Sequence, residues 1–331
     1  MARDFGAGAG VSLGAEANGG VSGCILITGA GGMIGRALMA ELAGAEVVAT
    51  DLTAPKRLPE GVRFETMDVT GDDPDQVIGA VRPEVVVHLA SIVTPAPGQG
   101  EAFAYRVDVE GTRRVLDACL AHGVRRLVVT SSGAAYGYHP DNPVPLREHH
   151  PLRGNEEFAY ARHKRLVEEM LAEARKAHPG LEQVVLRVGT VLGAGTENQI
   201  TALFHRKLLL AVRGSDSPFV FIWTCDLARI LKRAATDGSA GVFNVAADGA
   251  MGVSQIARVV GKPVLRLPAW LLKAVLAVAR PLGLTRYGPE QVRFLQYRPV
   301  LANDALKRDF GYVPEKTSRE VFDLWRREAG L

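Results

Sequence analysis

The chain has 331 residues, of which 47% are hydrophobic and 23% charged, so it can bury a large core and form one large or two modest domains. Its net charge of +3 comes from scattered basic residues, which argues against a nucleic-acid-binding face and favours a small-molecule partner. Cys24, Cys119 and Cys225 are far apart and predict neither a disulfide framework nor a zinc site. We expect no metal and a reducing, cytoplasmic setting.

Two segments are considered as a signal peptide or a membrane span. Residues 1–22 are rich in Gly and Ala and lack the basic start and apolar run of a signal peptide, so we interpret them as a disordered leader. The apolar segment at 269–279 contains Lys273 and is followed by Arg280, which leaves it too short to span a bilayer. No membrane partner is expected.

The first predicted unit is an apolar strand at 24–28, a glycine-rich turn, a helix from Met33 and a second strand that ends at Asp51. Backbone N–H groups at such a helix start can cradle a pyrophosphate, where any side chain would collide with it. A carboxylate at the second strand end can accept hydrogen bonds from ribose hydroxyls and repel a 2′-phosphate. The unit therefore predicts a dinucleotide site that prefers NAD to NADP. Three nearby cations weaken that preference: Arg36, Lys56 and Arg57.

Strands and helices keep alternating up to about residue 190. The alternation predicts an α/β fold with a Rossmann-type, doubly wound parallel sheet. Residues 23–190 are the predicted NAD-binding domain, and 191–331 form a smaller, mainly helical substrate-binding region, of which about 220–250 returns to the Rossmann domain. Further strands are predicted at 62–67, 84–89, 126–131 and 183–188, with helices at 74–81, 101–122 and 158–177.

A candidate catalytic group follows the strand at 126–131. Ser132 comes directly after this strand, and Tyr160 and Lys164 follow at a four-residue spacing that puts both side chains on one helical face. An ammonium group close to a phenol stabilises the phenolate, so Lys164 and a charged nicotinamide ring are expected to lower the Tyr160 pKa. Tyr160 would then exchange a proton with a substrate oxygen that Ser132 orients. This arrangement suits hydride transfer between a carbinol and nicotinamide.

In order and spacing, these motifs resemble the extended short-chain dehydrogenases/reductases, also called the NAD-dependent epimerase/dehydratase family, over roughly residues 23–250. The resemblance rests on T-G-x-x-G-x-x-G at 28–35, S-S-x-x-x-Y-G at 131–137, Y-x-x-x-K at 160–164 and the segment L-R-V-G-T-V-L-G at 186–193. It implies a Rossmann fold, an NAD cofactor and a homodimer formed through helices such as those predicted at 101–122 and 158–177.

The resemblance also implies roles for individual residues, which extend those argued from the motifs. The catalytic residues are Ser132, Tyr160 and Lys164, with Lys164 also a ligand of the nicotinamide ribose. The cofactor-binding residues are Gly29, Gly32, Met33, Ile34, Gly35, Asp51, Asp68, Val69, Leu89, Ala90, Ser91, Thr130, Tyr160, Lys164 and Val188. The substrate-facing residues are Ser132, Thr190, Phe219 and Trp223.

Departures from the family pattern concern the substrate. Members that dehydrate nucleotide sugars have an acidic pair where this chain has Gly133 and Ala134, so sugar dehydration is not expected. Phe219 and Trp223 replace the Arg and His of the R-D-F-x-H-V-D-D-x-A stretch of sugar-nucleotide epimerases, and an aromatic ring cannot balance a diphosphate. The simplest interpretation is a substrate without a diphosphate. Two polar Asn residues of the family are also replaced, by Asp108 and Thr190.

Apolar residues stand where the polar pocket is expected, and they suit a hydrophobic alcohol or ketone. For most of them a place in the core of the small region is the alternative, whereas Trp223 is expected to face the substrate. The candidates are Phe219, Phe221, Trp223, Leu265, Leu267, Trp270, Leu271 and Leu272. Three basic residues are expected on a solvated face, with a carboxylate or phosphate site as the alternative: His205, Arg206 and Lys207. Three more histidines are expected to point to solvent: His149, His150 and His163.

Three functions remain open at this point. The first is an NAD(P)-dependent oxidoreductase that acts on a secondary alcohol or ketone of a largely apolar small molecule. The second is a sugar or nucleotide-sugar epimerase, which uses the same Ser132, Tyr160 and Lys164 without net redox change. The third is a non-catalytic dinucleotide-binding sensor or scaffold, against which the presence of all three catalytic residues argues.

Overall fold

The computed structural model describes residues 23–93, 98–285 and 287–331, so the leader predicted at 1–22 lies outside the described residues. The strands are β1 Ile25–Thr28, β2 Val47–Asp51, β3 Val62–Thr66, β4 Val85–His88, β5 Arg126–Ser132, β6 Glu182–Val188, β7 Thr190–Leu192, β8 Leu209–Val212, β9 Phe221–Trp223, β10 Gly241–Val245 and β11 Val264–Leu267. The helices are α1 Met33–Glu41, α2 Asp73–Val81, α3 Glu101–Tyr105, α4 Gly111–Ala121, α5 Ala159–Ala177, α6 Gln199–His205, α7 Thr224–Ala235, α8 Val253–Val260, α9 Ala269–Ala279, α10 Gln291–Gln296, α11 Asp304–Arg308 and α12 Ser318–Glu328.

Seven strands form one parallel sheet in the order β10-β6-β5-β4-β1-β2-β3. Its first six strands follow the 3-2-1-4-5-6 order of dinucleotide-binding sheets. Strands β1 and β4 are apolar along most of their length because helices cover both faces of a parallel sheet. This architecture confirms the predicted α/β fold with a Rossmann-type sheet.

Alternate residues of each central strand enter different core layers. Ile25 and Ile27 pack with α1 and α7 on one face, whereas Leu26 packs with α2, α4 and α5 on the other. This two-residue period keeps both faces dry and leaves the carboxyl ends of the strands, where the loops carry the predicted site, as the accessible edge.

The helical segment predicted at 101–122 is interrupted by one π turn at Arg106–Glu110, between α3 and α4. The turn contains Asp108, whose side chain is buried and bonded to residues that follow β4. π turns interrupt regular helix hydrogen bonding and occur often at functional sites. Here the turn coincides with a carboxylate in the interior.

After β6 the chain builds a smaller unit around two short parallel pairs, β7 with β9 and β8 with β11. Strand β10 then joins the large sheet beside β6. Aromatic rings fill the small unit, with Phe219 and Phe221 stacked at 5.7 Å between ring centroids and Phe204 edge-on to both. None of the helices in the described part of the chain has the length and hydrophobicity needed to cross a membrane.

Candidate active site

In the glycine turn between β1 and α1, two glycines lie against neighbouring backbone and a third faces open space. Gly29 has φ 66°, and a Cβ there would lie 2.7 Å from the Ala90 nitrogen; a Cβ on Gly35 would lie 2.6 Å from the Ala30 Cα. Gly32 precedes α1, is exposed, and would meet only the Gly29 oxygen, at 3.2 Å. No side chain caps the helix start. An open, uncapped helix start fits the pyrophosphate of a dinucleotide.

Asp51 ends β2 beside this turn. Its Oδ2 accepts a hydrogen bond from the Gly31 N–H at 2.9 Å, and its Oδ1 accepts one from the Leu52 N–H at 2.8 Å. The exposed Arg36 guanidinium donates to the Gly31 carbonyl oxygen. The mouth of the turn therefore carries an acceptor suited to ribose hydroxyls and, next to it, a cation suited to an additional phosphate.

Residues after the next two strands close the same side of the site. Leu89 and Ala90 donate their backbone N–H groups to Thr28 Oγ1, both at 3.2 Å, which holds the loop after β4 against the glycine turn. Asp68 Oδ1 accepts hydrogen bonds from the Thr70 N–H and hydroxyl, both at 2.8 Å. Val69 packs beside Gly111, where an added Cβ would lie 2.9 Å from the valine Cγ2.

His88 is buried beneath the loop after β4 and connects β1 to α4. Its Nδ1 lies 2.7 Å from Thr28 Oγ1 and its Nε2 3.0 Å from Thr112 Oγ1. Burial lowers the pKa of His88 to about 3, with the positive charge of Lys164 acting in the same direction. The ring is therefore neutral at physiological pH and positions β1 against α4.

The structure brings Ser132, Tyr160 and Lys164 together at the end of β5. Ser132 is the last residue of β5 and its Oγ accepts the Ala134 N–H at 3.2 Å. Tyr160 lies in the first turn of α5, and Lys164 follows one turn later. Lys164 Nζ donates to the Thr130 carbonyl oxygen at 3.0 Å and lies 5.6 Å from the centre of the Tyr160 ring.

The protein surroundings of Tyr160 do not lower its pKa as expected from the sequence. Burial, together with the negative charge of Asp108, raises the pKa of Tyr160 to about 12 against the opposing hydrogen bond with Ser132. Burial also lowers the pKa of Lys164, against the charges of Asp108 and Glu168. The phenol is therefore protonated at neutral pH, which is the form that donates a proton.

His163 does not point to solvent, contrary to the prediction. It is completely buried on α5, with its Nδ1 3.3 Å from Asp108 Oδ2 and its ring edge-on to Tyr105. Local sequence carries no signal for this, because a histidine between Tyr160 and Lys164 has no fixed direction until the π turn packs against α5. His149 is exposed, as expected, whereas His150 is half-buried and accepts the Arg147 N–H at 2.8 Å.

A buried ion pair fixes α5 against the sheet. Glu168 accepts hydrogen bonds from Arg187 on β6, with Arg187 Nη2 2.7 Å from Glu168 Oε2, and also from the Ser131 hydroxyl on β5. Arg187 Nη1 donates to the Tyr136 hydroxyl at 2.7 Å. Because Glu168 lies one turn after Lys164, this network holds the helix that carries Tyr160 against the strand that carries Ser132.

The apolar residues packed around Tyr160 are not among those predicted to line the substrate cavity. Tyr160 packs in a cluster with Ala134, Tyr138, Phe158, Phe294 and Tyr297. Phe221 is buried in the core cluster that joins the small unit to one face of the large sheet, whereas Leu265 and Trp270 are exposed. Phe219 and Trp223 are also buried in that core, and Thr190 pairs with Phe221 at the start of β7. His205, Arg206 and Lys207 are exposed.

Arg298 is a candidate site residue that the sequence analysis did not predict. Its guanidinium lies 3.8 Å from the centre of the Phe219 ring and 4.8 Å from that of Phe294. Nη1 donates to the Ser217 carbonyl oxygen and hydroxyl at 2.8 and 2.9 Å, and the buried Nε has no partner within the described residues. The sequence shows this arginine in the segment Tyr-Arg-Pro at 297–299, but that segment lies outside residues 23–250, where the family resemblance is clear.

Several proteins of known sequence are similar to this chain. The chain is 28% identical over 332 residues to 2-alkyl-3-oxoalkanoate reductase of Stenotrophomonas maltophilia, covering 89% of this chain and 96% of the relative. It is 33% identical over 214 residues to UDP-glucose 4-epimerase of Azospirillum brasilense, covering 58% of this chain and 60% of the relative. An uncharacterized protein of Mycobacterium tuberculosis is 27% identical over 316 residues, covering 93% of this chain and 84% of the relative.

The fold matches solved structures over nearly the whole chain. A UDP-glucose 4-epimerase from Thermotoga maritima, solved with UDP-glucose, superposes with a TM-score of 0.72 at 21% identity and covers 93% of this chain and 98% of its own. The UDP-glucose 4-epimerase of Thermus thermophilus, solved with NAD, gives 0.70 at 23% identity, with 92% and 98% covered. At these identities the likeness shows a shared fold.

The family model described as "NAD dependent epimerase/dehydratase family" matches residues 25–246, which include the glycine turn, Ser132, Tyr160 and Lys164. This match confirms the predicted family and its NAD cofactor. With the Rossmann sheet and the glycine turn described above, it shows that the chain belongs to the NAD-dependent epimerase/dehydratase family.

Proposed function

We propose that this protein is an NAD-dependent oxidoreductase that transfers a hydride between nicotinamide and a secondary alcohol or ketone of a largely apolar small molecule. The observation that supports this most is the apolar surround of Tyr160, where Ala134, Tyr138 and Phe294 pack together. Nucleotide-sugar dehydratases have an acidic pair at the positions of Gly133 and Ala134. Without those carboxylates the site has the acid and the orienting hydroxyl for hydride transfer, but not the groups for dehydration.

The proposed roles follow from the protonation states. Tyr160, protonated at neutral pH, donates its phenolic proton to a carbonyl oxygen during reduction and takes it back during oxidation. The Ser132 hydroxyl orients that oxygen, and Lys164, held by the Thr130 carbonyl, stabilises the phenolate left behind. NAD, when bound, supplies the carbon that accepts or donates the hydride.

Arg298 indicates that the substrate also carries an anionic group, for which we propose a carboxylate. The guanidinium lies between two phenylalanine rings, and no carboxylate of the described residues pairs with it. Burial lowers the pKa of Arg298 to about 9, with the Tyr138 hydroxyl opposing the shift. A partly desolvated cation without a counter-charge is stabilised by a bound anion. The Stenotrophomonas maltophilia relative is, by name, a reductase of an apolar 3-oxo acid, which has these features.

An epimerase is the second candidate, and the same guanidinium favours it. Arginine also binds diphosphates, and one curated relative and the two structural relatives above are UDP-glucose 4-epimerases. Phe219 in place of the family arginine favours the oxidoreductase, because it leaves the site with one fewer cation for a diphosphate.

Steady-state assays with purified protein test the two candidates. We expect NADH oxidation with a 2-alkyl-3-oxoalkanoate, weaker turnover with the corresponding neutral ketone, and no conversion of UDP-glucose. Arg298→Met should raise KM for the acid by about tenfold or more while changing KM for the neutral ketone little, since a charge-assisted hydrogen bond contributes roughly 1.5–3 kcal/mol. Stoichiometric NAD that does not exchange, together with conversion of UDP-glucose and no net NADH change, would instead establish the epimerase.

Two further proposals concern the cellular compartment and the oligomeric state. The three cysteines are free, and two of them, Cys24 and Cys119, are buried, which suits a reducing cytoplasm. We propose a homodimer through the surfaces of α4 and α5, and sedimentation velocity of the purified chain measures it directly.

A further inference from the structure

The outward face of α9 is apolar, although it lies on the surface. Leu272 and Leu276 point inward and pack with Val212 and Val292. On the opposite side, Trp270 and Val278 are 69% and 62% exposed, and Ala274 between them is exposed as well. These three positions share one helical face, because they are spaced by four residues.

The turn after α9 extends this surface. Leu282 and Leu284 are 66% and 76% exposed, and Val275 on α9 is 52% exposed. A soluble helix ordinarily directs its polar side to water, whereas α9 has one polar side chain, Lys273, and Arg280 follows its last residue. We define the α9 face as Trp270, Ala274, Val275, Val278, Leu282 and Leu284. Exposed apolar side chains grouped on one helix and the turn after it indicate a contact with another body.

Charge indicates what that body is. Residues 251–300 contain eight basic residues and one acidic residue, Glu290, a net charge of +7 in a chain whose total is +3. The remainder of the chain is therefore net negative. Arg258, Arg266 and Lys273 are exposed and form no ion pair among the described residues. Apolar side chains with an interfacial tryptophan and flanking cations are typical of protein segments that lie on an anionic lipid surface.

The same charge argues against a second copy of this chain as the occupant. Two α9 faces in contact would bring Lys273 of one copy close to Lys273 of the other, with no carboxylate in the sequence of α9 or of residues 280–285 to offset the charge. An anionic bilayer supplies both the apolar interior and the opposite charge.

Helix α9 is connected to the candidate active site through α10. Helix α10 separates the two: Val292 packs with Leu272 of α9, while Phe294 packs with Tyr138 in the cluster that contains Tyr160. A body that covers the outward face of α9 is therefore separated from this cluster by α9 and α10.

We propose that the α9 face docks on the surface of an anionic lipid membrane, with its apolar side chains at the boundary between headgroups and acyl chains and Arg258, Arg266 and Lys273 facing the lipid phosphates. The contact is peripheral, since α9 is too short to span the bilayer. It differs from the sequence-based expectation of no membrane partner, which rests on the lack of a spanning segment. The proposal does not depend on the proposed reaction.

Tryptophan fluorescence of the full chain tests the proposal with a single reporter. Trp223 and Trp325 are 7% and 1% exposed, so Trp270 is the tryptophan whose surroundings change on contact with lipid. Vesicles made of equal parts phosphatidylcholine and phosphatidylglycerol should shift the emission to the blue and pellet the protein, and brominated lipid should quench it. Vesicles of phosphatidylcholine alone should bind about tenfold more weakly, because the electrostatic attraction is lost.

Variants separate the apolar contribution from the electrostatic one and test whether a second copy of this chain covers the face instead. Val278→Glu and the pair Lys273→Glu with Arg266→Glu should each weaken binding to the anionic vesicles by about tenfold or more, whereas Val313→Glu, at another apolar position that is 65% exposed, should not. Sedimentation velocity without lipid should give the same oligomeric state for wild type and Val278→Glu. No binding to anionic vesicles, equal loss with Val313→Glu, or a dimer that Val278→Glu dissociates would each overturn the proposal.

Discussion

His163 Nδ1 lies 3.3 Å from Asp108 Oδ2, and neither side chain has any exposed surface. The other Asp108 oxygen accepts the Ser91 hydroxyl and the Ile92 N–H, each at 2.8 Å. Asp108 thus joins α5, the π turn and the loop after β4 at a point next to Lys164. Burial raises the pKa of the Asp108 carboxyl, but the hydrogen bond from His163, the charge of Lys164 and the bonds from Ile92 and Ser91 outweigh it and hold the pKa below its ordinary value.

Replacing Asp108 by Asn should make the protein less sensitive to acid. Because the folded-state pKa of Asp108 is depressed, the stability it contributes is present above its unfolded pKa and is lost as pH falls toward the folded value. We expect the free energy of unfolding of the wild type to fall more steeply than that of Asp108→Asn between about pH 5 and about pH 3. Urea unfolding across this range measures the difference. Asp117→Asn, at an exposed position of α4, is the control, and parallel curves for wild type and Asp108→Asn would contradict the assignment.

The ion pair between Glu168 and Arg187 should matter far more for stability than its exposed neighbour on the same helix. Glu168→Ala leaves Arg187 buried without its counter-charge and should cost about 3–5 kcal/mol. Glu169 pairs with Arg165 at 3.2 Å on the outside of α5, and Glu169→Ala should cost about 0.5 kcal/mol or less. Chemical denaturation of both variants decides this, and equal losses would show that Glu168 does not hold α5 against the sheet.

Tyr160→Phe removes the proposed acid without removing the ring that packs in the aromatic cluster. We expect kcat to fall by about 10²–10⁴-fold, the range found for a general acid or base. The NAD dissociation constant should change little, because the glycine turn and Asp51 are untouched. Stopped-assay turnover and NAD titration by fluorescence give the two numbers. Turnover close to that of the wild type would remove Tyr160 from the mechanism.

The pH dependence of the two reaction directions should differ. Burial raises the pKa of Tyr160 to about 12, so the proton-donating form persists through neutral and mildly alkaline pH. Reduction of a ketone should therefore be nearly independent of this group up to about pH 9, whereas oxidation of the alcohol should rise with pH as phenolate forms, and a positively charged nicotinamide shifts that rise to lower pH. Profiles of kcat in both directions test this, and an oxidation rate that falls with rising pH contradicts it.

Asp51→Ser should weaken NAD binding and relax discrimination against NADP. The substitution removes the charged acceptor at the mouth of the glycine turn, and loss of such a hydrogen bond corresponds to about tenfold or more in the dissociation constant. Arg36, which remains beside Gly31, should then favour the 2′-phosphate of NADP. Arg36→Gln in the Asp51→Ser background should abolish the NADP gain. If Asp51→Ser leaves the ratio of NAD to NADP affinity unchanged, the carboxylate does not set cofactor choice.

The sequence alone determined the Rossmann half of the molecule and its family. Buried strands with short turns carry their signal locally, since an apolar run, three spaced glycines and an amphipathic helix follow one another within a single β-α-β unit. The strand predicted at 62–67 is Val62–Thr66, and the helix predicted at 74–81 is Asp73–Val81. Ser132, Tyr160 and Lys164 were predicted in the same way, because each lies within a motif of fixed spacing.

The contacts between segments far apart in the chain were decided only by the tertiary structure. His163 is buried because the π turn around Asp108 packs against α5, and Arg298 reaches the Phe219 ring from a segment that local patterns do not connect to it. The exposed face of α9 likewise follows from which of its sides Val212 and Val292 cover. The apolar pattern of a helix shows that it can be buried, but its partners determine which side is, and those partners are brought to it by the fold.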